Sequence, residues 1–155
     1  INYYGKTLAD LEADEFYSQV FDGSERSKIE KLISEYSLES NIVITGMKKN
    51  PYPYIKACDI YVQPSREDAM PLTLIEAKSL KKVCVATATV GGKKLVNNNI
   101  DGVICEINAY SISEAVIDLV SNKDKHNDMK AFLNNVDYSK EAEHYKKSWQ
   151  KLLEE

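Results

Sequence analysis

Two carboxylates stand eight positions apart in the segment Pro64 to Ala77, which reads PSREDAMPLTLIEA. The first, Asp68, lies in a polar turn after the strand-like run at 60–62, and the second, Glu76, lies in a helix-like run. A turn that leads into a helix is a natural anion site, because the first backbone N–H groups have no partner within the helix. Helical side chains lean toward the N-terminus, so Glu76 can hold hydroxyl groups beside that anion. An anion flanked by hydroxyls is the outline of a nucleotide sugar.

Both carboxylates also have ordinary explanations. Asp68 is a residue type that is common in turns and caps, and Glu76 could be a surface acid of the helix. The spacing alone therefore leaves a structural role and a functional role open.

The elements around this segment predict a parallel sheet covered by helices. Apolar runs without alternation are typical of buried parallel strands, and here they alternate with helical patterns. The predicted strands are residues 1–4, 17–21, 42–45, 60–62, 83–86 and 103–105. The predicted helices are 24–36, 53–58, 71–80 and 91–96, followed by three more helical patterns, the last a long helix from Tyr138. We expect one α/β, Rossmann-like three-layer domain over residues 1–155, with a mainly parallel sheet of about six strands.

Ligands of such sheets bind outside the carboxyl ends of the strands. Cations lie in the loops at that edge, although the net charge of the chain is -4. They are Lys6, Lys48, Lys49, Arg66, Lys93 and Lys94. We expect Lys6 and Lys94 to face a diphosphate, and the alternative is that these cations are solvated loop residues.

The composition narrows the function classes. The chain is 43% hydrophobic and 28% charged, which is typical of a globular domain with a core of its own. The acidic balance disfavours non-specific nucleic-acid binding, and no apolar run approaches the roughly 20 residues of a membrane span. We interpret Cys58, Cys84 and Cys105 as small buried hydrophobes in a reduced compartment, and His126 and His144 as surface residues.

The run PSREDAMPLTLIEA resembles the signature of the retaining glycosyltransferases called family 4, or group 1, of the GT-B fold. Their pattern is Pro-Ser, then Glu-Gly within a few residues, and a second Glu eight positions after the first. The resemblance extends to GMKKNPYPYIKACDIYVQPS before the signature and to KKVCVATATVGGKKLVNNNIDGVICEIN after it. It covers about Tyr17 to Leu153, with a weaker match at INYYGK. The chain is similar to the C-terminal, donor-binding half of such an enzyme, without the N-terminal acceptor domain.

The resemblance implies a role for each matching position. Glu76 would bind the ribose hydroxyls of the nucleotide, and Asp68 would contact the donor sugar near the reacting carbon. Lys6 would grip phosphate, and the loop at Gly46 and Met47 would flank the base. Backbone N–H groups between the two carboxylates would bind the diphosphate and the sugar, in the stretch formed by Ala69, Met70, Pro71, Leu72 and Thr73.

The resemblance also implies the reaction. A sugar would pass from a nucleoside diphosphate sugar to an acceptor hydroxyl with retention, in bacterial surface polysaccharide or glycoconjugate synthesis. We expect no cofactor and no metal, in agreement with the absence of an Asp-x-Asp sequence. The partners would be the nucleotide sugar and the missing N-terminal domain, which allows peripheral contact with the inner face of the membrane from the cytoplasm. We expect the isolated domain to be inactive.

Three departures from the family pattern keep a second hypothesis open. Asp68 stands in place of Glu, Ala69 in place of Gly, and Lys94 where the family often has Glu. The chain could therefore be a non-catalytic GT-B-like module that binds a partner protein or a glycan. A Rossmann oxidoreductase is disfavoured, because no G-x-G-x-x-G follows the first predicted strand.

Overall fold

The computed structural model describes residues 25–137. The chain divides after Ala57 into two compact units. The described part of the first unit contains helices α1 (Arg26–Glu35) and α2 (Tyr52–Ala57). The second contains β1 (Ile60–Gln63), α3 (Leu72–Ser79), β2 (Val83–Thr87), α4 (Val90–Leu95), β3 (Gly102–Cys105), α5 (Ala109–Ser121) and α6 (Lys123–Asn135).

In the first unit, the two helices lie within two residues of their predicted bounds. The predicted strand at 42–45 is wrong, because within this run only Ile44 forms a β-bridge. A β-branched run fits a sheet surface, but it does not by itself supply a neighbouring strand. The predicted strands at 1–4 and 17–21 and the predicted helix from Tyr138 lie outside the described residues.

The second unit contains a parallel sheet in the order β1-β2-β3. Ile60 pairs with Val83 in the first ladder, and Cys84 pairs with Gly102 in the second. Helix α3 connects β1 to β2, and helix α4 connects β2 to β3. The predicted class, an α/β fold with a parallel sheet flanked by helices, is confirmed. The described residues form three strands of this sheet, compared with the six expected from the whole sequence.

The central strand β2 is buried along its whole length. Its residues Val83 and Val85 belong to a core cluster with Leu119 of α5 and with Met129 and Leu133 of α6. Successive side chains of a strand point to opposite faces, so the remaining apolar residues of β2 face the other layer. Both faces of the sheet are therefore covered, as the apolar strand runs predicted.

The cysteines behave as small hydrophobes. Cys84 and Cys105 are buried and Cys58 is half-buried. Burial raises the pKa of the Cys58 thiol to about 11, although the nearby Lys82 acts in the opposite direction. Burial also raises the pKa of Cys84 and of Cys105. All three thiols therefore stay protonated at neutral pH, which makes them weak nucleophiles.

The interpretation of His126 as a surface residue is wrong. The ring is 1% exposed, and its Nε2 lies 3.3 Å from the carbonyl oxygen of Asp59. The polar sequence of α6 conceals the helical spacing that places His126, Met129 and Leu133 on one buried face. His144 lies outside the described residues.

A buried ion pair fixes the C-terminal end of α3. Lys78 Nζ lies 2.9 Å from Asp101 Oδ2, and the two side chains are 8% and 1% exposed. Lys78 also donates to the carbonyl oxygen of Leu95. Asp101 accepts from the backbone N–H of Asn97 at 3.0 Å and from its side-chain amide at 2.7 Å. These bonds join the end of α3 to the turn before β3.

The N-cap of α6 offers a small, clean test of the fold. Asn122 Oδ1 accepts the backbone N–H of Lys125 at 3.1 Å. Asn122→Ala removes this acceptor and should lower the free energy of unfolding by about 1 kcal/mol, measured by urea denaturation. Asn127→Ala, at an exposed position inside the same helix, is the control and should change stability by less than about 0.5 kcal/mol. Equal losses in both variants would show that the cap contributes nothing.

Candidate functional site

The segment with the two carboxylates lies at the carboxyl edge of the sheet. The loop at 64–71 follows β1, and the turn at 88–89 follows β2, so both leave the same edge. Pro71 occupies the N-cap position of α3 with an extended backbone, and its side chain offers no hydrogen bond to the helix. The predicted helix at 71–80 is thus confirmed to within one residue at each end.

Asp68 shapes this loop through its side chain and its backbone. Its Oδ1 accepts the N–H of Met70 at 3.0 Å, which is the bond of an Asx turn. Its carbonyl oxygen accepts the N–H of Gly91 at 2.8 Å, from the first turn of α4. Within the described part of the chain, the second carboxylate oxygen of Asp68 accepts no hydrogen bond. One oxygen is therefore used by the loop and one is available to a ligand.

Gly91 brings the start of α4 against the same loop. A Cβ at this position would lie 2.3 Å from Pro71 Cδ and 2.9 Å from the backbone atoms Ala69 C and Met70 N. No side chain fits such a gap, so this close approach requires glycine. Thr89 caps α4, since its Oγ1 accepts the N–H of Gly92 at 3.0 Å.

Three backbone N–H groups of the loop and the helix start are available to an anion. Those of Ala69, Leu72 and Thr73 donate to no acceptor within residues 25–137. In the same stretch, Pro71 has no N–H, and Asp68 already holds the N–H of Met70. The N-terminal end of a helix also carries positive partial charge, which favours an anion here.

Glu76 lies one turn after Thr73 on α3, and positions three apart share a helix face. Its side chain is half-buried near Tyr61 of β1. Burial is the main cause of the raised pKa of the Tyr61 phenol, and the negative charge of Glu76 adds to it. The second carboxylate thus lies between α3 and the end of β1.

A polar network that the sequence analysis missed lies beneath the loop. Gln63 Oε1 accepts from the Tyr61 hydroxyl and from Thr73 Oγ1, each at 3.0 Å. Gln63 Nε2 donates to Ser65 Oγ at 2.9 Å. Thr87 Oγ1 donates to the carbonyl oxygen of Ser65 at 2.6 Å and lies 3.3 Å from that of Gln63. The signal was present in the sequence, because β1 and β2 each end in one polar residue after an apolar run.

The remaining predicted site residues do not lie in the loop at 64–71 or in α3. Lys94 is exposed in the last turn of α4. Gly46, with a φ of 66°, and the exposed Met47 belong to the first unit. Lys6 lies outside the described residues, so its phosphate role stays a prediction. One strand, loop and helix therefore bring together Asp68, Ala69, Met70, Pro71, Leu72, Thr73 and Glu76.

Residues 25–137 contain no group of three or more His, Cys, Asp or Glu side chains arranged to hold a metal ion. No helix in this part of the chain has the length and apolarity to cross a membrane.

A parallel sheet with its polar loops and a helix start at the carboxyl edge is the architecture of nucleotide-binding α/β domains. The family model described as "Glycosyl transferases group 1" matches residues 6–136, and the chain belongs to that family. The family predicted from PSREDAMPLTLIEA is thereby confirmed.

Proteins with similar sequences are also glycosyltransferases. An uncharacterized glycosyltransferase of Methanocaldococcus jannaschii is 35% identical over 66 residues, which are 43% of this chain and 16% of that protein. The UDP-Gal:alpha-D-GlcNAc-diphosphoundecaprenol alpha-1,3-galactosyltransferase of Escherichia coli is 31% identical over 75 residues, which are 48% of this chain and 19% of that protein. The chain matches less than a fifth of the length of either protein.

Among solved structures, the pneumococcal O-GlcNAc transferase GtfA, in complex with UDP and GlcNAc, aligns with a TM-score of 0.69. The alignment covers 88% of this chain and 29% of that one at 15% sequence identity, and it shows a shared fold.

Proposed function

We propose that the loop at 64–71 and helix α3 bind the nucleoside diphosphate sugar of a retaining glycosyltransferase. The observation that carries the proposal is the combination of two carboxylates at the family's positions with three available N–H groups between them. The whole protein would transfer a sugar to an acceptor hydroxyl that its N-terminal domain binds.

Each group would have a separate task. Glu76 would accept hydrogen bonds from the ribose hydroxyls. The available oxygen of Asp68 would accept a hydrogen bond from a hydroxyl group of the donor sugar. The N–H groups of Ala69, Leu72 and Thr73 would bind the diphosphate.

The charge that must be stabilised is that of the departing diphosphate. Fixed N–H dipoles at a helix start stabilise such a charge where it develops and need no reorganisation during the reaction. Lys94, and Lys6 outside the described residues, would add positive charge. Backbone N–H groups and lysines would stabilise this charge without a cofactor or a metal.

Two similar proteins support the proposed biological setting. The Escherichia coli relative uses UDP-Gal and a lipid-linked acceptor, and the pneumococcal structure contains UDP. UDP is therefore the first nucleotide to test. We propose a role in surface glycoconjugate synthesis from the cytoplasm, with membrane contact made through the N-terminal domain.

Calorimetric titration of the 155-residue chain with UDP, GDP and ADP tests the donor site. We expect one of them to bind with a Kd of about 1 mM, or about −4 kcal/mol, and no turnover by this chain alone. Glu76→Gln should weaken that affinity about tenfold, because a charge-assisted hydrogen bond is lost. Glu114→Gln, on the exposed side of α5, is the control and should bind as the wild type does. The absence of binding by all three nucleotides at millimolar concentration would contradict the proposal.

One observation favours the alternative of a non-catalytic module. One carboxylate oxygen of Asp68 accepts a hydrogen bond within its own loop. The residue nearest the proposed chemistry therefore has a structural role. Glu76→Gln in the full-length protein separates the two functions. An enzyme should lose sugar transfer, whereas a module should keep its affinity for a partner protein or glycan.

A further inference from the structure

The side chain of Gln63 is fixed at three points. Its amide oxygen accepts two hydrogen bonds, from Tyr61 and from Thr73, and its amide nitrogen donates one to Ser65. An amide oxygen has two lone pairs, so its acceptor capacity is fully used. The half-buried side chain is therefore held in one orientation at the end of β1.

The three partners belong to different parts of the candidate site. Thr73 lies in the first turn of α3, and its own N–H is one of the three available donors. Ser65 lies at the beginning of the loop, where its carbonyl oxygen is held by the fully buried Thr87 at the end of β2. Tyr61 lies on β1 near Glu76. A single amide thus connects the strand end, the loop start and the helix start.

We propose that Gln63 is a positioning residue of the donor site, which sets the first turn of α3 and with it the N–H groups that meet the diphosphate. The inference rests on the proposed function and adds a residue that the family signature does not include. Gln63 acts through Thr73 and Ser65 and is not assigned a contact with the donor.

The rest of α3 is held independently of Gln63. Leu74 and Ala77 are fully buried, and the pair of Lys78 and Asp101 fixes the other end of the helix. A variant that lacks the amide should therefore keep α3 and lose only the register of its first turn. Loss of nucleotide affinity should then exceed any general loss of structure.

A double-mutant cycle on the 155-residue chain tests this inference with UDP in calorimetry. Gln63→Met keeps the length of the side chain without its hydrogen bonds, and Thr73→Val keeps the shape of Thr73 without its hydroxyl. Each single variant should weaken UDP binding about tenfold, and the double variant should be no weaker than Gln63→Met alone, because the bond that Thr73→Val removes is one of the three that Gln63→Met already removes. Additive losses, or UDP affinity unchanged by Gln63→Met, would overturn the inference.

The variant Asn122→Ala is the control for stability, since it weakens the fold at the opposite edge of the sheet. It should lower the urea midpoint and leave UDP affinity unchanged. If Gln63→Met behaves like Asn122→Ala, the amide has a structural role only, and the inference is wrong although the donor site stands. If the wild-type chain binds neither UDP, GDP nor ADP, the donor site itself is wrong and the inference falls with it.

Discussion

Asp68→Glu is expected to lower release of nucleoside diphosphate from the donor by the full-length protein about 100-fold, although glutamate is the residue of the family pattern. The Asx turn needs a carboxylate bonded directly to Cβ, so that its oxygen reaches the N–H of Met70 at 3.0 Å. Glutamate places its oxygens one bond farther out, so this turn opens and the loop moves. A misplacement of about 1 Å in a catalytic site costs about 100-fold in rate.

Asp68→Asn separates the turn from the charge. The asparagine oxygen can still accept the N–H of Met70, so the loop keeps its shape, while the charge offered to the sugar is lost. UDP affinity should therefore be close to that of the wild type for Asp68→Asn and reduced for Asp68→Glu, in calorimetry on the 155-residue chain. A fully active Asp68→Glu protein would show that the turn has no part in function.

Gly91→Ala is expected to abolish detectable nucleotide binding by the 155-residue chain, the second large effect, because a loss of about 100-fold from a Kd of about 1 mM lies beyond the range of calorimetry. The new Cβ would lie 2.3 Å from Pro71 Cδ and 2.9 Å from Ala69 C and Met70 N. Either α4 or the loop must retreat, and the bond between the Gly91 N–H and the carbonyl oxygen of Asp68 is broken or displaced. Calorimetry with UDP, with GDP and ADP as alternatives, measures the loss.

Gly102→Ala is the matched control for this substitution. Its Cβ would lie 2.4 Å from the carbonyl oxygen of Cys84 and 2.9 Å from Val96 Cγ1, a similar conflict at the amino edge of the sheet. Both variants should lose about 1–3 kcal/mol of stability through overpacking, and only Gly91→Ala should lose nucleotide affinity. Equal effects on affinity would mean that the contact of Gly91 with the loop is not specific to the site.

The fold was predictable where local pattern and tertiary structure agree. Short apolar runs predict strands β1 and β3, and the Pro at the helix start predicts where α3 begins. The observed ends of these three elements differ from the predicted ends by at most one residue. The run at 42–45 has the same composition, yet the described residues contain no ladder for it. The prediction of His126 as a surface residue was wrong for a related reason. The sequence of a polar helix does not show which of its faces packs against the sheet.

The site was predictable only as far as its contacts are local in sequence. The Asx turn spans two residues, and Asp68 was recognised as a turn residue from its type. The bond from Gly91 to Asp68 joins positions 23 apart, and Thr87 to Ser65 positions 22 apart. These approaches depend on the parallel pairing of β1 with β2, which brings both strand ends to one edge. Sequence alone therefore predicted that Asp68 and Glu76 lie in the candidate site, but it did not predict the contacts of Gln63 and Thr87 or the steric role of Gly91.

The fit of Gly91 against Pro71, Ala69 and Met70 has a consequence for chimeric enzymes. The loop at 64–71 and the start of α4 are fitted to each other. A hydrogen bond connects them, and they pack so closely that no Cβ fits between them. A loop transplanted from a relative at 64–71 would contact an α4 whose start is fitted to a different loop. Recombination that exchanges this loop therefore has its natural crossover points before residue 64 and after residue 92, with β2 inside the exchanged block.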